Sequence, residues 1–167
     1  YYSTPETWSV QKSAKRIVKA TNSWLYSKSR QSEHRYDKDR GYVCSFTGMI
    51  LKSNTAYLFH VGDIRVYRLR KNKLEQITTD HRLCISKEKS YLSRALGMDS
   101  AVLIDYAKFP IKQNDVYIFM SDGVYEFVDD AEIIQLIYDE EIFEKASQRL
   151  IHLALEHKSN DNLTAQL

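Results

Sequence analysis

Hydrophobic positions recur along this chain with two different periods, which divide it into helical and strand-forming parts. In the first thirty residues the spacing is three and four, which predicts a helix with one buried face. The positions of that face are Ala14, Ile17, Val18, Thr21, Trp24 and Leu25. Ser3-Thr4-Pro5-Glu6 precedes them and is typical of a helix start, with Thr4 as the N-cap. We therefore expect a long amphipathic helix near the start of the chain.

From Tyr42 the period changes to two, which indicates β-strands. Short β-branched or aromatic segments alternate with polar turns, and the first four segments predict an antiparallel meander. The predicted strands cover residues 42–51, 56–61, 65–70, 74–78, 102–109, 116–120 and 163–167. Residues 80–98 lack a clear period, and we expect irregular structure with short helical pieces there.

Two further amphipathic helices are predicted towards the end of the chain. The first is capped by Asp129 or Asp130, and the second covers residues 142–157. A helix, a run of strands and then helices indicate an α+β fold, because in an α/β fold strands and helices would alternate along the chain. Since both helical regions need a sheet face to cover, we expect an α-β-β-α sandwich of two antiparallel sheets flanked by helices.

Composition limits the class of protein. A chain of 167 residues, 43% of them hydrophobic, suits a single domain with its own core. The two cysteines, Cys44 and Cys84, make no disulfide framework and fit a reducing compartment, so we expect a cytoplasmic location. The longest apolar runs have only four or five residues, far fewer than a membrane span requires, and we expect no membrane association.

Charge is distributed unevenly. Residues 1–90 carry 18 Lys and Arg against 8 Asp and Glu, whereas residues 91–167 carry 6 against 14. A basic half is compatible with nucleic acid and an acidic half with a cation, although solvated surface is the more common explanation of both. The best nucleic-acid candidate is the polar segment 29–41, but Glu33, Asp37 and Asp39 dilute its positive charge. No recognition motif accompanies it, so we expect no nucleic-acid partner.

Three aspartates stand at predicted strand ends. Asp63 and Asp122 are each next to a glycine after a strand, and Asp161 lies just before the last strand. A carboxylate at the end of a rigid strand can point at a cation, and the glycine allows close backbone approach. If the three converge at one sheet edge, their oxygens suit Mg²⁺ or Mn²⁺ rather than zinc. Spacing alone leaves this hypothesis weak, because aspartate is common in turns.

Five segments, taken in order, resemble the protein phosphatase 2C family of metal-dependent Ser/Thr phosphatases. They are HVGDIRVYRLR at 60–70, LEQITTDH at 74–81, LSRALG at 92–97, DVYIFMSDG at 115–123 and DNLT at 161–164. The similarity is greatest to bacterial phosphatase domains, including those fused to a protein kinase. The resemblance implies a β-sandwich flanked by helices, a phosphorylated protein as substrate and a cognate Ser/Thr kinase as a candidate partner.

The resemblance also implies a centre of two Mg²⁺ or Mn²⁺ ions. By motif match, Asp122 and Asp161 correspond to core metal ligands, and Asp63 corresponds to an acid that helps to hold a third, weaker ion. In this chemistry the metal ions bind phosphate oxygens and activate a bridging water, which attacks phosphorus without a covalent enzyme intermediate. The absence of a Gly-x-Ser-x-Gly elbow around Ser121 agrees with a mechanism that needs no side-chain nucleophile.

Two departures from the family pattern bear on activity. Nothing before Tyr42 matches the family's first metal motif, an Asp-Gly pair on an early strand, and Ile64 stands where a serine is usual. We explain the first gap by truncation and expect residues 1–167 to be a single phosphatase 2C-like domain that lacks its N-terminal metal-binding strand. Such a piece would be weakly active or inactive alone. The alternative is a pseudophosphatase, a binding module that recognises a phosphoprotein or partner without hydrolysing it.

Overall fold

The computed structural model describes residues 8–33, 41–86, 89–140 and 142–167. In these ranges the chain forms four helices and nine strands. They are α1 (Val10–Gln31), β1 (Phe46–Lys52), β2 (Thr55–Val61), β3 (Arg65–Arg70), β4 (Lys73–Gln76), β5 (Arg82–Ser86), β6 (Lys89–Leu92), β7 (Asp105–Pro110), β8 (Val116–Met120), α2 (Asp122–Tyr125), α3 (Asp130–Asp139), α4 (Phe143–Glu156) and β9 (Ala165–Gln166). None of the helices in these ranges has the length and apolarity needed to cross a bilayer.

The chain divides into two compact units. The first comprises the residues up to Gly62 together with His81–Ile111, and the second comprises Asp63–Asp80 together with Lys112–Leu167. In the described ranges the first unit combines antiparallel strands with helix α1, and the second combines them with α2, α3 and α4, so the predicted α+β class is confirmed.

The first unit is built on a three-stranded sheet in the order β1-β2-β7. β1 and β2 form a hairpin, and β7 pairs antiparallel with the other side of β2. Helix α1 packs on β2, so its apolar residues share a core with those of the sheet. The buried members of this core are Val10, Ala14, Val18, Phe59, Val61, Leu96 and Ile104.

The buried face of α1 differs from the predicted one. Ile17 and Trp24 are 42% and 58% exposed, while Asn22 is buried. The Asn22 amide donates to the Asp99 carbonyl oxygen at 3.0 Å, and its oxygen accepts from the Gly97 nitrogen at 2.9 Å. A buried polar side chain is stable when its hydrogen bonds are made, and hydrophobic spacing cannot anticipate such a partner. The predicted start at residues 3–6 lies outside the described ranges; in them α1 begins at Val10, capped by Ser9.

Two of the predictions for the middle of the chain are wrong. Residues 82–86 and 89–92, expected to be irregular with helical pieces, form the antiparallel β5–β6 pair. Its pairing shifts register between Cys84 and Ser86, and this irregularity interrupts the two-residue period by which a strand is recognised. The four-strand meander is also absent from the described pairings, because β2 pairs with β1 and β7 whereas β3 pairs with β4 and β8.

Gly62 marks the place where the chain leaves the first sheet. Its φ is +114°, and a Cβ there would lie 2.8 Å from the Cα of Ser45, so both the conformation and the space demand glycine. The segment after β2 therefore leads into the second unit rather than reversing into a hairpin with β3.

The second unit is a four-stranded sheet in the order β4-β3-β8-β9, covered by α3 and α4. β8 has the predicted bounds, and α4 lies within the predicted range. Asp129 is the N-cap of α3 and forms a capping box with Glu132, as the sequence predicted for Asp129 or Asp130. Ile118, Met120, Ile133 and Leu150 are almost fully buried between sheet and helices, which fixes both helices on one face.

A buried ion pair joins the end of β3 to the turn before β8. The Arg70 Nε and Nη2 atoms each donate to an Asp115 carboxylate oxygen at 2.6 Å, and the Lys112 backbone nitrogen donates to the same carboxylate at 2.8 Å. The Asp115 side chain is only 2% exposed. The bond from Arg70, helped by that from Lys112, outweighs burial and lowers the pKa of Asp115 to about 2.

We expect Asp115→Asn to lower the free energy of unfolding by about 2 kcal/mol at pH 7, since one pKa unit corresponds to ~1.4 kcal/mol. Because the folded pKa is depressed, this contribution is present above the ordinary aspartate pKa near 4 and is lost as the pH falls through 2. Urea unfolding of the two proteins at pH 7 and pH 3 measures the difference, which should shrink at the lower pH.

Glu140→Gln is the control, because it removes another Arg–carboxylate pair, Arg149–Glu140, whose arginine is 59% exposed. Its cost should be at most about 0.5 kcal/mol at pH 7. If both variants lose the same free energy of unfolding, burial is not what makes the Asp115 ion pair stabilising.

Candidate active site

The three predicted acids lie next to strand ends at the same end of the four-stranded sheet, with Asp122 in the single helical turn α2. The pairing register sets Arg65 of β3 opposite Met120 of β8, and Met120 opposite Ala165 of β9. Asp63 precedes Arg65 by two residues, Asp122 follows Met120 by two, and Asp161 precedes Ala165 by four. The strand order, which is not visible in the sequence, therefore brings these distant segments to one edge of the second unit.

The Asp122 and Asp161 turns are tied together through Ser121. The Ser121 hydroxyl donates to the Asn162 carbonyl oxygen at 3.1 Å and accepts from the Thr164 nitrogen at 3.0 Å. The Ser121 nitrogen donates to the Thr164 carbonyl oxygen at 3.0 Å. On the other side, the Ser159 hydroxyl donates to the Gly123 carbonyl oxygen at 2.8 Å. These bonds determine the separation of the two turns.

Gly123 lets the two turns approach closely. A Cβ at this position would lie 2.6 Å from the Asn162 carbonyl oxygen and 3.2 Å from the Asp161 Cβ. The first distance is shorter than non-bonded atoms allow, so a larger residue would displace the Asp161 turn. Glycine is required here for space rather than for an unusual φ.

Each carboxylate is oriented by the backbone of its own turn. The Asp122 Oδ1 atom accepts from the Gly123 nitrogen at 3.0 Å, and the Asp161 Oδ1 atom accepts from the Asn162 nitrogen at 2.7 Å. Such short-range bonds restrict the side-chain rotamers. The result is two oriented carboxylates on neighbouring, hydrogen-bonded segments.

Asp63 is anchored through its main chain. The Tyr125 hydroxyl donates to the Asp63 carbonyl oxygen at 3.1 Å, and Tyr125 lies on α2, the helix that begins at Asp122. The Arg65 guanidinium stacks 3.8 Å above the Tyr125 ring and binds both oxygens of Asp80, the shortest contact being 2.8 Å. Burial lowers the pKa of Arg65, but its bonds to Asp80 and Tyr67 outweigh burial and raise the pKa overall.

Five residues that contact the acid segments or their supports were not among the predicted site residues: Ser121, Tyr125, Arg65, Asp80 and Ser159. Arg65, Asp80 and Ser121 stand inside the segments that carry the family resemblance, so their position there was the available signal. Tyr125 and Ser159 offered no signal in the sequence, because their roles arise from contacts across the fold.

The donor set fits a hard divalent cation in part. Asp122 and Asp161 offer carboxylate oxygens, the ligands that Mg²⁺ and Mn²⁺ prefer, and Gly123 allows their two segments to approach closely. Over the described ranges, no group of three or more His, Cys, Asp and Glu side chains is close enough to hold a metal ion. Asp63 is therefore not brought into a three-ligand cluster with Asp122 and Asp161.

Comparisons with known proteins find serine/threonine phosphatases, in agreement with the motifs. No family model matches the chain. It is 28% identical to the serine/threonine phosphatase Stp of Listeria monocytogenes over 180 residues, which cover 97% of the chain and 67% of the relative. It is 31% identical to the serine/threonine protein phosphatase PstP of Mycobacterium tuberculosis over 163 residues, 88% of the chain and 30% of the relative. The chain thus spans about two thirds of the Listeria protein.

A solved structure supports the fold. The catalytic domain of PstP, crystallised with two manganese ions, superimposes with a TM-score of 0.82 and 25% identity, covering 98% of this chain and 72% of that domain. The two ions in that relative agree with the expected Mg²⁺ or Mn²⁺ cofactor.

The strand order, the paired acid turns and these relatives agree with the five motifs found in the sequence. In its motifs, fold and relatives the chain is similar to bacterial serine/threonine phosphatases and resembles the protein phosphatase 2C family.

Proposed function

We propose that this chain carries metal-dependent hydrolysis of phosphoserine and phosphothreonine in proteins. Asp122 and Asp161 would be ligands of the metal centre, and Asp63 a ligand of an additional, weaker ion. The observation that carries the assignment is the locking of the Asp122 and Asp161 turns against each other through Ser121 and Gly123.

Each residue has a defined task in this proposal. Asp122 and Asp161 hold the cation, while Ser121 and Gly123 set the distance between them. Tyr125, stacked on Arg65, holds the backbone of Asp63. When bound, Mg²⁺ or Mn²⁺ supplies activation of water and neutralisation of phosphate charge. No serine or cysteine nucleophile is needed for that chemistry.

The substrate class follows from the family, and two finer assignments are part of the proposal. A phosphorylated protein is the substrate, and a cognate Ser/Thr kinase is the partner that the resemblance to phosphatase–kinase fusions favours. A cytoplasmic location is supported by the cysteine usage, since Cys44 is a free thiol.

We expect Asp122→Asn and Asp161→Asn each to weaken Mn²⁺ binding at least about tenfold, because each removes a charged ligand. Mn²⁺ binding is measured by loss of the free-ion electron paramagnetic resonance signal. Hydrolysis of p-nitrophenyl phosphate and of a phosphothreonine peptide should depend on Mn²⁺ and fall in both variants. Since no residue of this chain matches the family's first metal aspartate, we expect slow turnover even in the unmodified protein.

Asp139→Asn, at the exposed end of α3, is the matched control and should leave Mn²⁺ binding unchanged. Mn²⁺ affinity that is the same in Asp122→Asn and Asp161→Asn as in the unmodified protein would reject the metal assignment. Binding of Mn²⁺ and phosphopeptide without any hydrolysis would favour the pseudophosphatase alternative over the enzyme.

We expect Gly123→Ala to weaken Mn²⁺ binding by about tenfold, because a Cβ 2.6 Å from the Asn162 carbonyl oxygen must push the Asp161 turn away. Gly48→Ala is the control: its Cβ would meet only the end of the Phe46 ring, at 3.1 Å, and that side chain can move. Circular dichroism checks that both variants fold. If Gly123→Ala binds Mn²⁺ as the unmodified protein does, close approach of the two turns is not what forms the site.

A further inference from the structure

The second unit contains a pocket at the opposite end of its sheet from the three acids. The pocket has a volume of about 540 Å³ and is lined in part by Arg70 and Val116, which lie at the far ends of β3 and β8. Five residue steps along β3, at ~3.3 Å each, separate Arg65 from Arg70, so the pocket lies about 17 Å from the acid turns. Its volume is in the range of ligand-binding sites.

The pocket is positively charged. Its lining includes the cations Arg70, Lys71 and Lys112 and the amides Gln113 and Asn114, and no carboxylate among the described residues lines it. Arg70 is already paired with Asp115. The two lysines therefore give the pocket its excess of positive charge, which favours an anionic ligand.

Both lysines stand on tight turns that are fixed in place. Lys71 and Asn72 have φ values of 49° and 60°, which is the two-residue turn expected between paired antiparallel strands. The Lys112 turn is closed by the Asp115 nitrogen, which donates to the Lys112 carbonyl oxygen at 3.2 Å. The Arg70–Asp115 pair connects the two turns. The positions from which both ammonium groups extend are thus set before any ligand binds.

The other wall of the pocket is apolar and aromatic. Tyr138 and Phe143 are 57% and 50% exposed, and Ile137, which also lines the pocket, is buried. The Tyr138 hydroxyl accepts from the Asn72 nitrogen at 3.3 Å, which holds this ring beside the Lys71 turn. Single exposed apolar side chains are ordinary, but two rings lining one concave, charged site are typical of a recognition surface.

We propose that this pocket binds an acidic peptide segment that carries an aromatic side chain. The lysines match its carboxylates, the Tyr138 and Phe143 wall matches its ring, and Gln113 and Asn114 can donate to and accept from its backbone. No glycine lines the pocket in the described ranges, so the close backbone cradle typical of phosphate loops is not formed. The choice of a peptide rests on the proposed function, whose substrate is a protein.

Binding is measured by fluorescence anisotropy with a fluorescein-labelled Glu-Glu-Phe-Glu-Glu peptide at low ionic strength. This probe has no phosphate, so the assay does not depend on hydrolysis or on Mn²⁺. We expect Lys71→Glu/Lys112→Glu to weaken binding at least about tenfold, because two attractive charges become repulsive. Tyr138→Ala should weaken it by about fivefold through loss of the ring contact, and the Gln-Gln-Phe-Gln-Gln peptide should not bind.

The matched control is Lys28→Glu/Lys52→Glu, which makes the same change of charge at two exposed lysines of the first unit. It should leave the affinity unchanged within about twofold. Equal weakening by both double variants, or no weakening by Lys71→Glu/Lys112→Glu, would overturn the proposal. Binding of ATP to the pocket without binding of the acidic peptide would also overturn it, in favour of a nucleotide.

Catalysis gives a second, separable readout. With p-nitrophenyl phosphate, Lys71→Glu/Lys112→Glu should match the unmodified protein, because that substrate is too small to reach the pocket. With a phosphothreonine peptide extended by the acidic segment, the same variant should show a higher KM at unchanged kcat. A protein that binds the probe but hydrolyses nothing would contradict the proposed activity and leave the pocket assignment standing.

Discussion

The antiparallel register of β3 against β8 is the constraint on which the second unit depends. Pairing of Arg65 with Met120 and of Leu69 with Val116 sets one end of both strands beside the acid turns and the other beside the basic pocket. Because side chains alternate along a strand, a slip of one residue would turn the buried Ile118 and Met120 towards the opposite face. Packing of the hydrophobic core therefore fixes the strand register, and the register fixes the positions of the three acids and of the basic pocket.

At each end of this sheet an arginine–aspartate pair links separate segments. Arg65 binds Asp80 beside Tyr125, next to the candidate metal site, and Arg70 binds Asp115 at the pocket. The cost of desolvating two charges offsets much of the attraction in a buried or half-buried ion pair, so such a pair contributes little net stability. Loss of either partner is nevertheless costly, because the other charge is left unpaired. Here the two pairs fix the turns at which function is proposed, while the core of α3 and α4 supplies the stability.

The predictions from the sequence succeeded and failed for identifiable reasons. β8, α3 and α4 have strong periods and a clear N-cap, and the structure has them where they were expected. The β5–β6 pair was missed because its register shift breaks the alternation. The buried side of α1 was misjudged because Asn22 is satisfied by residues 97 and 99, more than seventy positions away along the chain.

The sequence by itself determined the α+β class, indicated the resemblance to the phosphatase family and singled out the three acids as candidates, because motif order and periodicity are local properties of the chain. Only the tertiary structure decided which segments become neighbours. It separated β2 from β3 into different sheets, tied the Asp122 turn to the Asp161 turn through Ser121, and gathered Lys71, Lys112 and Tyr138 around one pocket. The physical reason is that strand pairing and side-chain hydrogen bonds join residues far apart in sequence, and no local pattern records their partners.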